Sequence, residues 1–446
     1  MADIKYVKGG TMNNNPDVSE LRKAEMVGQT VTTKGIVHAI RSLGKMTFIV
    51  LRKRDGVLQC VTETGREPGE GASLVEAAAC CVTGTISENE KAPGGYELVL
   101  SDVKILSLPA CTMPLPISKY KMNVTLETNL DLRPISLRHL KERAKFRIQM
   151  GIAEGFRKAL SDRGFTEIHT PKLAAKGAEG GSNLFRLDYF HRPAVLSQSP
   201  QFWKQMMVGV FERVYEVGPV FRAEKHNTKR HLNEYTSMDF EMGFIESFYD
   251  IMEMETLCLQ TIMTNLKENY ADELALLQVD LPKTEDIPSV RFDEAKRLVS
   301  EKYQREIRNP FDLEPEEEAL IGRYFKEEYD ADFVFITHYP SKKRPFYAMD
   351  DPEDATFTLS FDCLFRGLEI TTGGQRIHDY GMLMEKLERR GMSPDGMDAY
   401  LNTFKCGMPP HGGLGIGLER LTMQLLGEDN VRETTLFPRD MTRLEP

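Results

Sequence analysis

Charged side chains are concentrated between two segments that alternate as β-strands. Residues 221–242, FRAEKHNTKRHLNEYTSMDFEM, hold two arginines, two lysines, two histidines and four acids. The segments VYEVGPVFRAE and YTSMDFEMGF alternate apolar and polar residues, which predicts an antiparallel pair with one apolar face. A solvated sheet face is the commoner explanation of such alternation. A cationic loop beside Gly218 also suits a flat, anionic ligand that lies on the sheet.

Oxygen ligands for a metal ion stand in RGLEITTGGQRIHDY, residues 366–380. The Glu369 carboxylate and the Thr372 hydroxyl, three residues apart, are suitable ligands for Mg²⁺ beside phosphates. Asp362 is a candidate second acid. Strict alternation would place Glu369 on the apolar face, so this interpretation requires a β-bulge near Gly367.

A glycine-rich strand is predicted in PPHGGLGIGLERLTMQLLG, residues 409–427, followed by a helix that begins near Leu418. Alternate glycines leave one face of a strand without side chains, so that a planar base can approach the backbone. Arg420 would lie at the start of the helix, over that face. Tight packing is the alternative and, for a glycine run by itself, the commoner one. The spacing is not that of a dinucleotide-binding loop.

A helix is predicted in LSQSPQFWKQMMVGVF, residues 196–211, with Ser199 as N-cap and Pro200 at the first helical position. Gln201, Lys204 and Gln205 would share one face. The packing face would consist of apolar residues: Phe202, Met206 and Val210. A binding role for Lys204 competes with the interpretation that it is an ordinary surface lysine.

The composition is that of a globular protein, with 446 residues, 41% hydrophobic and 28% charged. The length allows about three domains, or one large and one small. The segment MADIKYVKGG has no apolar core, and no uncharged apolar run reaches membrane-spanning length, so we expect no membrane association. Seven scattered cysteines without a CxxC pair indicate reduced thiols and a cytoplasmic location, and neither zinc ligands nor a disulfide framework.

The charge distribution favours local contact with nucleic acid over general coating. A net charge of −10 argues against indiscriminate nucleic-acid binding. The stretch from 34 to 54 nevertheless contains no acid and six basic residues: Lys34, Arg41, Lys45, Arg52, Lys53 and Arg54.

These motifs require an α+β framework. Residues 26–106 form short segments rich in Val, Ile and Thr, with turns at KRDG and APGG and an optional helix at SLVEAA. They predict an OB-fold β-barrel over residues 1–108, a fold that binds single-stranded nucleic acid. Residues 109–140 begin with the proline-rich LPACTMPLPISKY and are predicted as a hinge. Residues 141–446 open with a long helix and predict an antiparallel sheet flanked by helices, and the acidic segment 266–330 is assigned no chemistry.

The motifs taken together resemble those of the class II aminoacyl-tRNA synthetases. FRAE…RHLNEYTSMDFEM resembles motif 2, GLGIGLERL resembles motif 3, and the long helix with GFTEIHTPKL resembles the dimer-forming motif 1. Within the class, LSQSPQFWKQ, RPFY and GLEITTGGQRIHDY resemble the aspartyl-tRNA synthetases of archaeal and eukaryotic type, and the N-terminal segment resembles their anticodon-binding OB-fold. The resemblance covers essentially the whole chain.

This resemblance implies that the chain joins aspartate to tRNA(Asp), through an adenylate made from ATP with Mg²⁺. Arg222, Glu369 and Arg420 would be catalytic, and Glu369, Thr372 and Asp362 would hold the metal. ATP would also contact Ala223, Glu224, Arg230, His231, Leu232, Gly417, Leu418 and Glu419. Aspartate would contact Glu179, Gln201, Phe202, Trp203, Lys204, Arg222, Asp239, Thr372 and Arg376.

The resemblance also implies partners. A homodimer is expected through residues 141–171, and the anticodon is expected on the barrel, with Phe48 stacking a base and Gln59 reading the middle base. Phe48 as a core residue is the alternative. Relatives with histidine and proline at the positions of His38 and Pro93 tend also to charge tRNA(Asn), so tRNA(Asn) is a possible second substrate. Rival hypotheses are an asparagine–tRNA ligase, an asparagine synthetase and a non-catalytic tRNA-binding paralogue.

Overall fold

The computed structural model describes residues 15–63, 73–175, 177, 183–225 and 228–445. The chain divides into two compact units, Met1–Val124 and Thr125–Pro446. In the described part of the chain, no helix is long and apolar enough to cross a membrane.

The first unit is a closed five-stranded barrel with the strand order β1-β2-β3-β5-β4. A short helix, α1 (Val18–Leu21), precedes five strands: β1 (Thr30–Leu43), β2 (Met46–Arg52), β3 (Val57–Glu63), β4 (Ala79–Glu88) and β5 (Tyr96–Ser107). Alternate residues, among them Ile49, Leu51 and Leu58, fill the interior. The predicted barrel is therefore confirmed. The optional helix at SLVEAA is wrong, because these residues form a turn in which Ala77 has φ +68°.

The second unit contains a mixed set of helices and strands. Its helices are α2 (Leu126–Asp131), α3 (Arg133–Ser136), α4 (Leu140–Ser161), α5 (Gln201–Phe211), α6 (Tyr249–Asn269), α7 (Ala271–Leu277), α8 (Phe292–Tyr303), α9 (Pro315–Tyr329), α10 (Tyr380–Arg389), α11 (Asp398–Lys405) and α12 (Leu418–Leu426). Its strands are β6 (Thr166–Glu167), β7 (Leu173–Ala174), β8 (Arg186–Tyr189), β9 (Arg192–Leu196), β10 (Arg213–Phe221), β11 (Glu234–Gly243), β12 (Ser289–Arg291), β13 (Phe333–Thr337), β14 (Ser360–Phe365), β15 (Leu368–Arg376) and β16 (His411–Gly417). Helices α2 and α3 lie in the stretch that the sequence assigns to a hinge.

An eight-stranded sheet forms the centre of this unit, in the order β12-β13-β14-β15-β16-β11-β10-β6. The pairs β12–β13 and β10–β6 are parallel and the others antiparallel. Strands β7, β9 and β8 make a separate small sheet. The predicted antiparallel framework is confirmed.

The main core lies on one face of the large sheet. Helices α4 and α6 cover this face with residues such as Phe156 and Ile262, against Phe240 and Leu414 of the strands. A second cluster joins α8 and α9 to the other face of β13 and β14, through Ile321, Ile336 and Leu364 among others. Segment 266–330 therefore contributes core residues to the sheet, and its last helix, α9, lies on the same face as the polar residues of β14.

Candidate active site

One row of neighbouring residues runs across five strands of the large sheet. Asp362, Thr372, Gly415, Asp239 and Glu216 stand opposite one another on β14, β15, β16, β11 and β10. Residues paired across an antiparallel ladder point to the same face. The alternation of β10 and β11 thus places their polar residues beside those of β15, on the face opposite the main core.

Two cations and two anions are buried together beside this row. Lys204 of α5 is 2% exposed. Its Nζ lies 2.8 Å from Asp239 Oδ2 and 3.5 Å from Glu241 Oε2, and it donates to the Leu414 carbonyl at 2.8 Å. Arg376 of β15 lies on the other side of Glu241, with Nε 2.9 Å and Nη2 3.4 Å from the carboxylate.

The ion pairs keep Glu241 charged in spite of its burial. Burial by itself would raise the pKa of Glu241, but Arg376 and Lys204 together hold that pKa below its usual value. Arg376 also donates from Nη2 to the Gly413 carbonyl at 2.8 Å. Among the described residues these bonds leave Arg376 Nη1 for a ligand.

Helix α5 presents its polar side to the sheet. Gln201, Lys204 and Gln205 are buried, whereas Val210 is exposed. The predicted division of the helix into a polar and an apolar face is correct, but the prediction that the apolar face packs is wrong for Val210. The helix begins one residue later than predicted, with Pro200 as the N-cap, and the Ser199 hydroxyl accepts from the Gln201 amide at 3.3 Å.

The glycines of β16 make room for carboxylates. A Cβ on Gly413 would lie 2.2 Å from Glu241 Oε2 and 2.1 Å from the Phe240 carbonyl, and one on Gly415 would lie 3.0 Å from Asp239 Oδ2. Two of the alternate glycines therefore accommodate acidic side chains of β11. The sequence predicted a bare face open to a planar base and did not include these carboxylates.

A β-bulge brings Glu369 to the polar face. Cys363 pairs with Thr371 and Leu364 pairs with Glu369, so Ile370 is the additional residue. The predicted bulge is confirmed, although it lies at Ile370 and not at Gly367, which belongs to the turn. The Thr372 hydroxyl lies 3.5 Å from Glu369 Oε1, and both residues are accessible from outside.

The oxygen atoms of Glu369 and Thr372 are of the kind that Mg²⁺ prefers. Asp362 is less available, because it is buried and its Oδ1 lies 2.7 Å from Arg344 Nη2. Burial raises the pKa of Asp362 to about 6, an effect that Arg344 opposes and Glu369 increases. Among the described residues, three or more acidic, histidine or cysteine side chains do not converge on one metal position. Such a sparse site suits Mg²⁺, which usually keeps waters and substrate phosphates as its other ligands.

The loop between β10 and β11 brings further charges to the end of the strands at which β15 begins. Its two ends are joined by Asn233, which donates to the carbonyls of Arg222 and Glu224 at 2.7 and 3.0 Å. The Glu224 carboxylate lies 4.0 Å from Arg222 and 3.9 Å from His231. The loop thus brings a guanidinium, an imidazole and a carboxylate to one end of the strands.

Arg420 connects that loop to β15. It donates from Nε to the Arg230 carbonyl at 3.2 Å and from Nη1 to the Glu369 carbonyl at 3.1 Å. Helix α12 begins at Leu418, as predicted, so Arg420 lies in its first turn. The three predicted catalytic residues, Arg222, Glu369 and Arg420, therefore lie on neighbouring elements at one end of the strands.

Several predicted ligand contacts cannot involve the whole side chain. Leu232 and Leu418 are buried in apolar clusters, which leaves their backbone for a nucleotide. Glu419 accepts from the Thr236 amide with both oxygens at 3.0 Å, and burial raises its pKa to about 7. Ala223 donates its amide to the Asn183 carbonyl at 3.0 Å.

The remaining predicted aspartate contacts divide into three groups. Phe202 and Trp203 pack on an apolar cluster, where the Phe202 ring lies 4.5 Å from that of Tyr400. Gln201 Nε2 is buried and has no hydrogen-bond partner among the described residues, which makes it available to a ligand. Glu179 lies outside the described residues.

Sequence reasoning missed several buried residues of this site. Glu241 has the same face as Asp239 and could have been found from the alternation of β11. His411 is held neutral by burial, which lowers its pKa to about 4; it accepts at Nε2 from Gln205 at 3.0 Å and donates from Nδ1 to the Pro409 carbonyl at 2.9 Å. Arg344 begins the motif RPFY, which was used only for the resemblance, and no role was predicted for it.

The barrel presents the predicted anticodon residues in different environments. Phe48 and Gln59 are partly exposed on β2 and β3, and Phe48 does not belong to the barrel core. Gln59 donates to Glu97 Oε2 at 2.8 Å. His38 is buried as the additional residue of a bulge in β1, and Pro93 is exposed before β5.

Only part of the basic stretch faces outwards. Arg52 and Lys53 are buried, and Lys53 Nζ donates to the Thr33 hydroxyl at 2.6 Å and to the Lys34 carbonyl at 3.0 Å. Burial lowers the pKa of Lys53. The exposed basic residues are four: Lys34, Arg41, Lys45 and Arg54.

Comparison with known families identifies both units. Residues 125–441 match the family model "tRNA synthetases class II (D, K and N)", and residues 31–106 match the "OB-fold nucleic acid binding domain".

Individual relatives align over nearly their full length. The chain is 48% identical over 426 residues to an aspartate–tRNA(Asp/Asn) ligase of Deinococcus radiodurans, with 94% of this chain and 96% of the relative covered. It is 47% identical to the ligase of the same name from Thermus thermophilus, with 94% and 97% covered. Among solved structures, the asparaginyl-tRNA synthetase of Pyrococcus horikoshii superposes with a TM-score of 0.88 at 29% identity, covering 98% of this chain and all of that chain. The aspartyl-tRNA synthetase of Entamoeba histolytica gives 0.84 at 31% identity, covering 97% and 92%.

Proposed function

Because the chain belongs to the class II aminoacyl-tRNA synthetases of the D, K and N family, we propose that it is an aspartate–tRNA ligase that charges both tRNA(Asp) and tRNA(Asn). The amino acid is the first part of the proposal. The two ligases compared above carry aspartate in their names, and the OB-fold unit distinguishes the chain from asparagine synthetases that lack such a unit.

The observation that carries the choice of aspartate is the buried pair of cations, Lys204 and Arg376. A ligand carboxylate near Arg376 Nη1 would meet a guanidinium and an ammonium in a closed site, where charge interactions are strong. An amide would gain much less from these charges. Asp239 and Glu241 hold both cations in position and prevent an excess of positive charge before the ligand binds.

The arrangement favours reaction by alignment and charge neutralisation. The α-carboxylate of aspartate attacks the α-phosphate of ATP, the bond to pyrophosphate breaks, and aspartyl-adenylate forms. Arg222 lies where the β10–β11 loop begins and would bind the α-phosphate, while Arg420 would neutralise the leaving phosphates. Such preorganised donors lower the barrier without a covalent enzyme intermediate. The terminal adenosine hydroxyl of tRNA then takes the aspartyl group and releases AMP.

We propose that Glu369 and Thr372 would hold Mg²⁺ in this reaction. When bound, the ion would neutralise phosphate charge and orient the oxygens of ATP. Glu369 would at the same time keep Arg420 in place, since its carbonyl accepts from that guanidinium.

The test of the amino acid is ATP–pyrophosphate exchange with aspartate and with asparagine. We expect exchange with aspartate and little with asparagine, because an amide gains much less than a carboxylate from the charges of Lys204 and Arg376. Equal exchange rates with the two amino acids would refute the assignment, and exchange with asparagine only would establish the rival ligase. No exchange with either would favour a non-catalytic paralogue.

The second part of the proposal is the relaxed choice of tRNA. The two ligases compared above carry both tRNAs in their names, and this chain has His38 and Pro93 at the positions that the resemblance associates with relaxed enzymes. Phe48 and Gln59 lie on the outer face of β2 and β3, the face with which OB-folds bind oligonucleotides. Aspartylation of purified tRNA(Asn) tests this: a rate at least a hundredfold below that for tRNA(Asp), about 2.7 kcal/mol, would show a strict enzyme.

A homodimer and a cytoplasmic location complete the proposal. Strand β6 is one of the two edge strands of the large sheet and follows α4, so pairing through residues 141–171 would cover that edge. All seven cysteines are free thiols, as is usual in a reducing compartment. Sedimentation showing a fully active monomer at micromolar concentration would exclude the dimer.

A further inference from the structure

Helix α9 places a buried carboxylate in the nucleotide region. Glu318 lies in the first turn of α9 and is 6% exposed. Its Oε2 pairs with Arg230 of the β10–β11 loop and accepts from the Glu369 amide at 3.3 Å. A single carboxylate oxygen thus contacts the loop predicted to hold ATP and the strand predicted to hold Mg²⁺.

The position of α9 is set by a contact between two backbones. A Cβ on Gly322 would lie 2.3 Å from the Gly367 nitrogen, and one on Gly367 would lie 2.8 Å from the Ala319 Cα. Helix α9 therefore touches the turn between β14 and β15 directly. Since Glu318 is one helical turn before Gly322, this contact fixes the carboxylate beside the first residues of β15.

Four residues form a closed ring through these contacts. Glu318 binds Arg230, the Arg230 carbonyl accepts from Arg420, Arg420 donates to Glu369, and the Glu369 amide returns to Glu318. Arg230 Nε is also buried without a hydrogen-bond partner among the described residues. A buried guanidinium donor left free in this way is suited to a negatively charged ligand.

We propose that Glu318 is a positioning residue for ATP, which orients the Arg230 guanidinium and joins it to Glu369 and Arg420. The inference rests on the proposed function, in which this end of the strands holds ATP. It gives segment 266–330 a part in the reaction that the sequence did not assign.

The neighbouring Glu317 shows what a purely structural carboxylate looks like here. It is fully buried, its Oε2 lies 2.6 Å from Lys296 Nζ, and it accepts from the Glu314 amide at the start of α9. These partners belong to segment 266–330 itself. The partners of Glu318 lie on β15 and on the β10–β11 loop, which indicates that it acts outside its own segment.

The test is the dissociation constant for ATP, measured by titration calorimetry on the full chain with Mg²⁺ present. Glu318→Gln keeps the shape but removes the charge, so we expect the constant to rise at least about tenfold, or about 1.4 kcal/mol, while aspartate binding stays within about twofold of wild type. Glu316→Gln is the matched control, because that carboxylate is exposed on the same helix, and it should leave ATP binding unchanged. A merely structural role would lower the melting temperature and leave the ATP constant unchanged.

A double-mutant cycle shows whether Glu318 acts through Arg230. In an Arg230→Lys background, Glu318→Gln should weaken ATP binding by less than about twofold. Glu318→Asp keeps the charge and should bind ATP within about threefold of wild type, also if the glutamine variant does not fold. Unchanged ATP binding by Glu318→Gln, an equal loss in both backgrounds, or an aspartate variant as weak as the glutamine one would overturn the proposal. Because ATP is titrated without an amino acid, failure of the aspartate assignment would leave this result intact.

Discussion

Replacement of Lys204 by methionine tests the charge balance at the centre of the site. Methionine preserves most of the volume of the side chain and removes only the ammonium. In the structure that ammonium contacts Asp239 at 2.8 Å, Glu241 at 3.5 Å and the Leu414 carbonyl at 2.8 Å. The variant therefore removes the cation that contacts Asp239 and leaves Glu241 paired with Arg376.

The magnitude follows from the burial of the pair. Removing one partner of a buried ion pair costs about 3–5 kcal/mol, and both Lys204 and Asp239 are almost completely inaccessible. If the same ammonium attracts the aspartate side chain, kcat/KM for aspartate should fall by about two to almost four orders of magnitude. The free energy of unfolding should fall by a similar 3–5 kcal/mol, so stability is measured beside activity.

The assay is aspartate-dependent ATP–pyrophosphate exchange, with urea unfolding of the same preparation. Lys145→Met is the matched control, because Lys145 is also buried and pairs with Glu142 and Glu428 at 3.1 and 2.8 Å, outside the site. The control should lose stability and keep its kcat/KM for aspartate per folded molecule. A Lys204→Met enzyme that activates aspartate within tenfold of wild type would refute the role of this cation.

Three further predictions test the barrel and two buried titratable groups. Phe48→Ala should weaken tRNA binding by about 1–3 kcal/mol without affecting pyrophosphate exchange. Leu106→Ala, an exposed apolar control on β5, should leave both tRNA binding and exchange unchanged. Equal tRNA binding by the two variants would contradict stacking. Burial lowers the pKa of His411 to about 4. The neutral imidazole therefore contributes its full stability above pH 6.5, and this contribution declines by up to about 3 kcal/mol as pH falls to 4. The unfolding free energy of His411→Gln should depend less on pH in that range, and a pH dependence equal to that of wild type would disprove this. Glu255 accepts from Thr371 at 2.6 Å, and burial raises its pKa to about 8. The stability that the protonated carboxyl gives the fold is present below pH 4.5 and is lost as pH rises to 8. Glu255→Gln should therefore gain on wild type in unfolding free energy between pH 5 and 8, and a difference between the two proteins that does not change with pH would oppose the assignment.

Strand periodicity allowed the sequence to predict much of the site. Side chains on β10 and β11 follow a period of two, so the alternation places Asp239 on the polar face without knowledge of the neighbours, and the same rule places Glu241 there although no role was predicted for it. The bulge before Thr372 followed from the same rule, because Glu369 could reach the polar face in no other way. Its position at Ile370 depends on how Cys363 and Leu364 pack on the opposite strand, which a single segment does not reveal.

Other features depend on partners distant in sequence. The polar face of α5 is buried because Lys204 meets Asp239 and Glu241, whereas the helix pattern by itself makes a polar face look solvated. The glycines of β16 appeared to leave space for a base because the carboxylates that occupy part of that space belong to β11. Glu318 could not be identified, since its partners are more than fifty residues away and no local spacing connects them.

The bulge at Ile370 gives β15 one residue that it could lose without turning Glu369 over. Deleting Ile370 would leave Glu369 two positions before Thr372, so the regular two-residue repeat of a strand would keep both side chains on the polar face. Glu369 would also stay opposite Leu364. The deletion would nevertheless remove the bend and the additional twist that a bulge gives a strand, and with them the angle at which the Glu369 carboxylate meets the Thr372 hydroxyl. Natural or selected variants that remain active should therefore show apolar exchanges at Ile370, whereas deletion of Ile370 should lower activity without unpairing β14 and β15.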